Sequence, residues 1–247
     1  MDNTLDGKSA WIVGASGSIG TGVARVLAEQ GMHVWISGRN RDQLYELSES
    51  IRESGLACSV AALAGATDYE ATVTAIRQSL GRLDVLVNTT ASPRFETFEA
   101  LTDDHWVEIF ESKLLVYVRS MRAAIPLMRD CGGGSIINIS GRGGRQPSAV
   151  HLAGGSMNAA INLLTKGIAD TYRDFGVRAN VVAPGPIRSP RLAELEAKSQ
   201  ESATISMTAR LGEVQDVVNA VVFLASEHSS HINGINLPVD GGSIGSI

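Results

Sequence analysis

The 247-residue chain is 44% apolar and 19% charged with a net charge of −5, a balance that excludes a disordered polymer and fits one α/β domain. Its Lys and Arg are scattered, which argues against nucleic acid, and its two cysteines, Cys58 and Cys131, suit neither a disulfide framework nor a metal site. No basic and apolar leader opens the chain and no apolar run is long enough to span a bilayer, so a cytoplasmic protein off the membrane is expected, with a small molecule as its partner.

Short apolar runs alternate with stretches of helical period from end to end. Residues 10–13 read as a buried strand, followed by glycines and a helix striped by Ile19, Val23, Val26 and Leu27, with Gly31 as its terminator. A second strand at 33–36 leads to a helix striped by Leu44, Leu47 and Ile51 that Gly55 closes. Further strands are expected at 57–63, 83–87, 135–139, 178–183 and 235–239, with helices near 68–80, 103–130, 155–174 and 213–225 between them. Asp103 is the expected N-cap of the long helix, and Gly132-Gly133-Gly134 its stop. Strands apolar throughout, each followed by a helix, predict a parallel sheet covered on both faces. Right-handed crossovers then give an α/β, doubly wound Rossmann-type fold of about seven strands, with residues 1–247 as a single domain.

The first strand-to-helix junction carries Gly14-Ala15-Ser16-Gly17-Ser18-Ile19-Gly20. A glycine-rich turn that opens a helix lets backbone N–H groups approach a pyrophosphate, which the helix N-terminus favours. Glycines at such a junction also serve packing alone, so the position of the turn matters more than its spelling. The second strand ends Ser37-Gly38-Arg39-Asn40 without the acid that would bind a ribose 2′-hydroxyl. Gly38 leaves room and Arg39 suits a 2′-phosphate, which favours NADP over NAD; a solvated surface Arg is the alternative.

With these features in place, the chain resembles the short-chain dehydrogenases/reductases over nearly its whole length. The resemblance rests on Leu5-Asp6-Gly7-Lys8, the glycine motif, Asp84-Val85-Leu86-Val87-Asn88, Pro184-Gly185-Pro186-Ile187, and the tail Phe223-Leu224-Ala225-Ser226 … Val239-Asp240-Gly241-Gly242. It implies an oxidoreductase with the nucleotide at Gly14, Ser16, Gly17, Ser18, Ile19 and Gly20, and with Asn88 beside it; Gly38 and Arg39 make that nucleotide NADP. It further implies a nicotinamide near Pro184, Gly185 and Ile187, its carboxamide at Ser189, a substrate lid at 189–210, and homodimers or homotetramers joined through the two long helices. Several positions depart from the family pattern. Ser18 stands at the central glycine, Gly65 or its neighbours at the adenine-contacting Asp, and Asn88-Thr89-Thr90-Ala91 at Asn-Asn-Ala-Gly.

The departures are greatest at the chemical end. The flanks Ile136-Ile137-Asn138-Ile139-Ser140 and Ala159-Ala160-Ile161 place the family's Ser at Gly141, its Tyr at Gly154 and its Lys at Asn158, while Trp106 places its Asn at Lys113. Glycine has no side chain to donate a proton, so the family's standard mechanism cannot run. The candidates to replace it are Lys113, His151, Ser140 and Asn158, with Ser156 nearby. Lys113 would meet the vacated Lys position from another helix, or else extend to the surface. His151 lies three residues before Gly154, and its ordinary pKa near 6.5 suits a proton donor at neutral pH. Arg142 and Arg145 either hold an anionic group of the substrate or belong to a solvated loop. Three readings stay open: a rebuilt NADP-dependent oxidoreductase, a lyase or isomerase on the same fold, and a nucleotide-binding protein without catalysis.

Overall fold

The computed structural model describes residues 4–91, 94–190, 192, 193 and 211–244. In chain order the elements are β1 (Ser9–Val13), α1 (Ser18–Glu29), β2 (His33–Gly38), α2 (Arg41–Glu53), β3 (Cys58–Ala62), α3 (Asp68–Leu80) and β4 (Val85–Asn88). Then come α4 (Asp103–Ile109), a π-helical turn (Phe110–Leu115), α5 (Val116–Asp130), β5 (Gly134–Ile139), α6 (Leu152–Tyr172), β6 (Val177–Pro184), α7 (Val214–Ala225) and β7 (Asn236–Val239). The strands form one seven-stranded sheet in the order β3-β2-β1-β4-β5-β6-β7, every pairing parallel. The doubly wound fold read from the sequence is therefore the fold observed.

Alternation along each strand sorts side chains between two cores. In β1, Ala10 and Ile12 join the layer under α1, α2 and α7, whereas Trp11 and Val13 join the layer under α3, α5 and α6. Leu27, Ile36, Leu44 and Val221 fill the first layer; Ile76, Leu86, Met121, Ile136 and Ile161 fill the second. Each such fully buried side chain contributes about 1.5–3 kcal/mol. Trp11 can be buried whole because its indole N–H donates to Ser37 Oγ at 2.8 Å.

Two details differ from expectation. The N-cap of α4 is Thr102 rather than Asp103: its hydroxyl accepts from the His105 N–H, and the His105 ring returns a contact to the Thr102 N–H. Asp103 instead occupies the first helical position, where its charge meets the helix dipole. The stretch 103–130 is also not one α-helix, because the π-turn at Phe110–Leu115 inserts an extra residue into its ladder.

A buried polar chain ties the helices to the centre of the sheet. Ser120 of α5 donates to Asn88 Oδ1 (2.7 Å), Asn88 donates to Asn138 Oδ1 (2.8 Å), and Asn138 donates to Thr165 of α6 (2.9 Å). Asn138→Leu would leave the Asn88 amide N–H without an acceptor in a dry interior. The expected loss is about 1–3 kcal/mol, seen as a lower urea midpoint at unchanged slope.

Candidate active site

The sheet reverses its winding between β1 and β4, and in open α/β sheets the crevice beyond the strand C-termini at such a point binds ligands. The Gly14 turn enters that crevice. Gly14 adopts a left-handed φ of +87°, and a Cβ there would lie 2.8 Å from Thr89 Oγ1 and 3.0 Å from Thr90 N. A Cβ on Gly20 would lie 2.3 Å from the Gly14 carbonyl oxygen. These two glycines are required for packing. Gly17 is different, since a Cβ there would make only an ordinary 3.6 Å contact. As the N-cap of α1 it supplies no side-chain acceptor, so the first-turn N–H groups keep their donors for a ligand. Gly17 and Ser18 are exposed, Ser16 is half-buried, and Ile19 packs on the apolar layer. Such a turn fits a pyrophosphate.

β2 delivers the neighbouring residues. A Cβ on Gly38 would stand 3.4 Å from Ser16 Oγ, so Gly38 lies directly beside the turn. Arg39 follows, exposed, and Asn40 caps α2 by accepting from the Gln43 N–H at 3.2 Å. Beyond β3 the first carboxylate is that of Asp68, the opening residue of α3. Its Oδ2 accepts from the Ala64 and Gly65 N–H groups, and these bonds hold its carboxyl below the ordinary carboxylate range.

The Asn88 side chain is fully buried, with its amide hydrogen-bonded between Ser120 and Asn138, so it braces β4 and leaves only backbone at this position for a ligand. Beyond β6, the Gly185 N–H donates to the Val239 carbonyl at 3.0 Å, and a Cβ on Gly185 would lie 2.9 Å from Asp240 Cα. Pro184 is buried, Ile187 bridges to Gly212, and Ser189 Oγ accepts from the Leu192 N–H at 3.2 Å. Most of the expected lid at 189–210 lies outside the described residues.

At the chemical end, Lys113 is 3% exposed, and its Nζ donates to the Thr90 carbonyl at 3.0 Å while standing 5.7 Å from the Tyr117 ring centre. The π-turn presents Lys113, and α5 presents Tyr117 one turn later. The Tyr117 hydroxyl lies 2.7 Å from the Ile139 carbonyl and 3.1 Å from that of Thr90, so the phenol bridges the ends of β4 and β5. Burial pushes its ionisation far up. Ser140 is buried, its N–H on Val182, and its Oγ has no hydrogen-bond partner among the described residues. Arg142 is half-buried; Arg145 and Ser156 are exposed.

Both glycines at the chemical end are covered by polar groups from α6 and the residue before it. A Cβ on Gly154 would fall 2.1 Å from His151 Cε1 and 2.6 Å from its Nε2. The imidazole thus lies flat over Gly154, and its other face stacks on Phe95 at 4.2 Å and 11°. A Cβ on Gly141 would fall 3.0 Å from Asn158 Nδ2, and Asn158 Oδ1 has no partner among the described residues. One added methyl at Gly143 would touch both groups, His151 Cδ2 at 3.2 Å and Asn158 Nδ2 at 3.7 Å, so imidazole and carboxamide flank the same loop residue. Phe95 and the Thr90 carbonyl were not visible in the sequence, because no motif marks a loop aromatic or a backbone acceptor. Among the described residues no three His, Cys, Asp or Glu stand together as a metal site, and no helix is long and apolar enough to cross a membrane.

A parallel seven-stranded sheet with a bare helix N-terminus at its switch point is the architecture of the Rossmann-type class of proteins. Residues 14–243 match a family model described as Enoyl-(Acyl carrier protein) reductase. The chain is 31% identical over 246 residues to the 2,5-dichloro-2,5-cyclohexadiene-1,4-diol dehydrogenase of Sphingobium indicum, covering 98% of each. It is 30% identical over 257 residues to the NADPH-dependent reductase BacG of Bacillus subtilis, covering 97% of this chain and 99% of that one. Among solved structures it is similar to L-sorbose reductase from Gluconobacter frateurii complexed with NADPH and L-sorbose, with a TM-score of 0.89, 28% identity and 100% of both chains covered. The chain belongs to the short-chain dehydrogenase/reductase family of oxidoreductases.

Because the imidazole sits where any side chain at 154 would begin, Gly154→Ala is expected to push His151 off Phe95. Proton NMR checks this: the upfield ring-current shift of the His151 ring protons should collapse, with the rest of the spectrum preserved.

Proposed function

We propose that this protein is an NADP-dependent oxidoreductase that interconverts a small-molecule carbonyl compound and its alcohol through a non-standard active site. The observation that carries the reading is the placement of Gly38, with exposed Arg39 next in the chain, beside Ser16 of the turn that leads to the uncapped start of α1. The turn offers N–H donors to a pyrophosphate, and Arg39 offers a guanidinium to a 2′-phosphate with no competing acid at the end of β2. A reduced nicotinamide supplies a hydride when bound. The named NADPH dependence of one relative and the NADPH in a similar solved structure support the same choice. Lys113 would act from the end of β4, where its ammonium is held by Thr90, by donating to ribose hydroxyls. Exposed Val107 of α4, Phe110 of the π-turn and Leu163 of α6 support homodimers or homotetramers built through those faces.

A second reading has its own support. Gly141 and Gly154 lack the usual catalytic side chains, which favours a non-redox enzyme or a nucleotide-binding protein without catalysis. NADPH binding with no turnover of any carbonyl or alcohol would favour this second reading over the first.

Fluorescence titration should show NADPH binding more tightly than NADH. Arg39→Ala should reduce that preference on the order of tenfold or more, the worth of one charge-assisted hydrogen bond, while leaving NADH affinity nearly unchanged. A wild-type preference for NADH would overturn the cofactor assignment.

Lys113→Met keeps most of the side-chain volume but removes the ammonium. The expected result is NADPH affinity weakened on the order of tenfold with the thermal midpoint lowered only slightly, checked by titration and thermal melting.

A further inference from the structure

The proton-bearing groups gathered at the C-terminal ends of β4 and β5 differ sharply in what they can release. Tyr117 is wholly buried, its hydroxyl lies between two backbone carbonyls, and burial holds its proton in place. Lys113 directs its Nζ to the Thr90 carbonyl from a buried position. Ser140 carries a neutral buried hydroxyl. His151 is half-buried and carries the one side-chain type here whose ordinary pKa lies near neutrality. Its orientation is fixed from two sides, by the Phe95 ring and by the bare Cα of Gly154. Its Nδ1 is buried. Beside it, across Gly143, Asn158 brings an N–H donor to the space over Gly141.

We infer that His151 is the proton donor of this active site and that the Asn158 amide N–H polarises the substrate carbonyl, the two entering through the spaces that Gly154 and Gly141 leave open. The inference rests on the NADP-linked reductase reading above. In the reductive direction the carbonyl carbon accepts a hydride, with its electron pair, from the reduced nicotinamide. The carbonyl π pair moves to oxygen while the Asn158 N–H bonds to it. That oxygen takes the proton from His151 Nε2, leaving a neutral imidazole that regains a proton from water. Such a donor is worth about 10²–10⁴ in rate.

The experiment compares wild type with His151→Ala, using NADPH and a panel of activated carbonyl probes, ortho-quinones and α-diketones. NADPH affinity, measured by fluorescence, should be unchanged in the variant, which also reports that it folds. Turnover of the best probe should fall by about 10²–10⁴, and added imidazole should restore it. Across a series of substituted imidazoles the rescued rate should follow their pKa. Asn158→Leu should lower kcat more than it raises KM. Wild-type turnover in His151→Ala would overturn the assignment, as would rescue that follows imidazole size instead of pKa. NADPH binding by wild type with no turnover of any probe would also overturn it. Failure of wild type to bind NADPH would instead refute the cofactor reading on which it rests.

Discussion

The approach of the Gly14 turn to the end of β4 is the constraint on which the rest of this molecule depends. Gly14 and Gly20 have no side chains to hold Thr89 and the turn apart, and α1 therefore starts directly over the sheet's switch point. Thr89 Oγ1 donates within reach of both the Val13 and Gly14 carbonyls, joining β4 to the turn. From that seam follow the direction of the α1 N-terminus, the position of Ser16 against Gly38, and the placement of the Thr90 carbonyl one residue further on. Lys113 and Tyr117 both converge on Thr90. The Gly14 turn and the Lys113–Tyr117 pair are therefore joined through two consecutive threonines.

The buried polar chain beneath this seam does a different job. Asn88, Asn138, Ser120 and Thr165 satisfy one another within the interior, and a fully satisfied network there fixes the relation of α5 and α6 to the central strands. The residues above it stand on strand ends that those below hold in place.

Much of the fold was legible because it is written in local alternation. The expected helix at 68–80 and the strand near 135–139 match α3 and β5 closely, since each carries a clean apolar period and a glycine stop. The π-turn was not legible. Its stretch, from Trp106 to Tyr117, keeps apolar residues at spacings that a regular helix also accepts, and only the tertiary environment of Lys113 reveals the extra residue. The cap of α4 was misplaced by one because Thr102 and Asp103 are both good caps, and the His105 ring decides between them. At the site, residue types and register identified Gly141, Gly154 and His151. What filled the two glycine positions could not be read, because stacking on Phe95 and the reach of Asn158 are contacts between segments far apart in sequence.

The His151 ring over Gly154 also bears on how this chain can change over time. A side chain at 154 and a stacked imidazole at 151 exclude one another, since the first carbon of the former would fall inside the latter. A single mutation that restores a residue at 154 therefore meets an occupied space and loses the aromatic stack before it gains anything. A mutation at 151 alone empties the space without refilling it. A side chain at 154 is therefore gained at the cost of the aromatic stack, and sequences descended from this one that acquire it should also tend to change at 151.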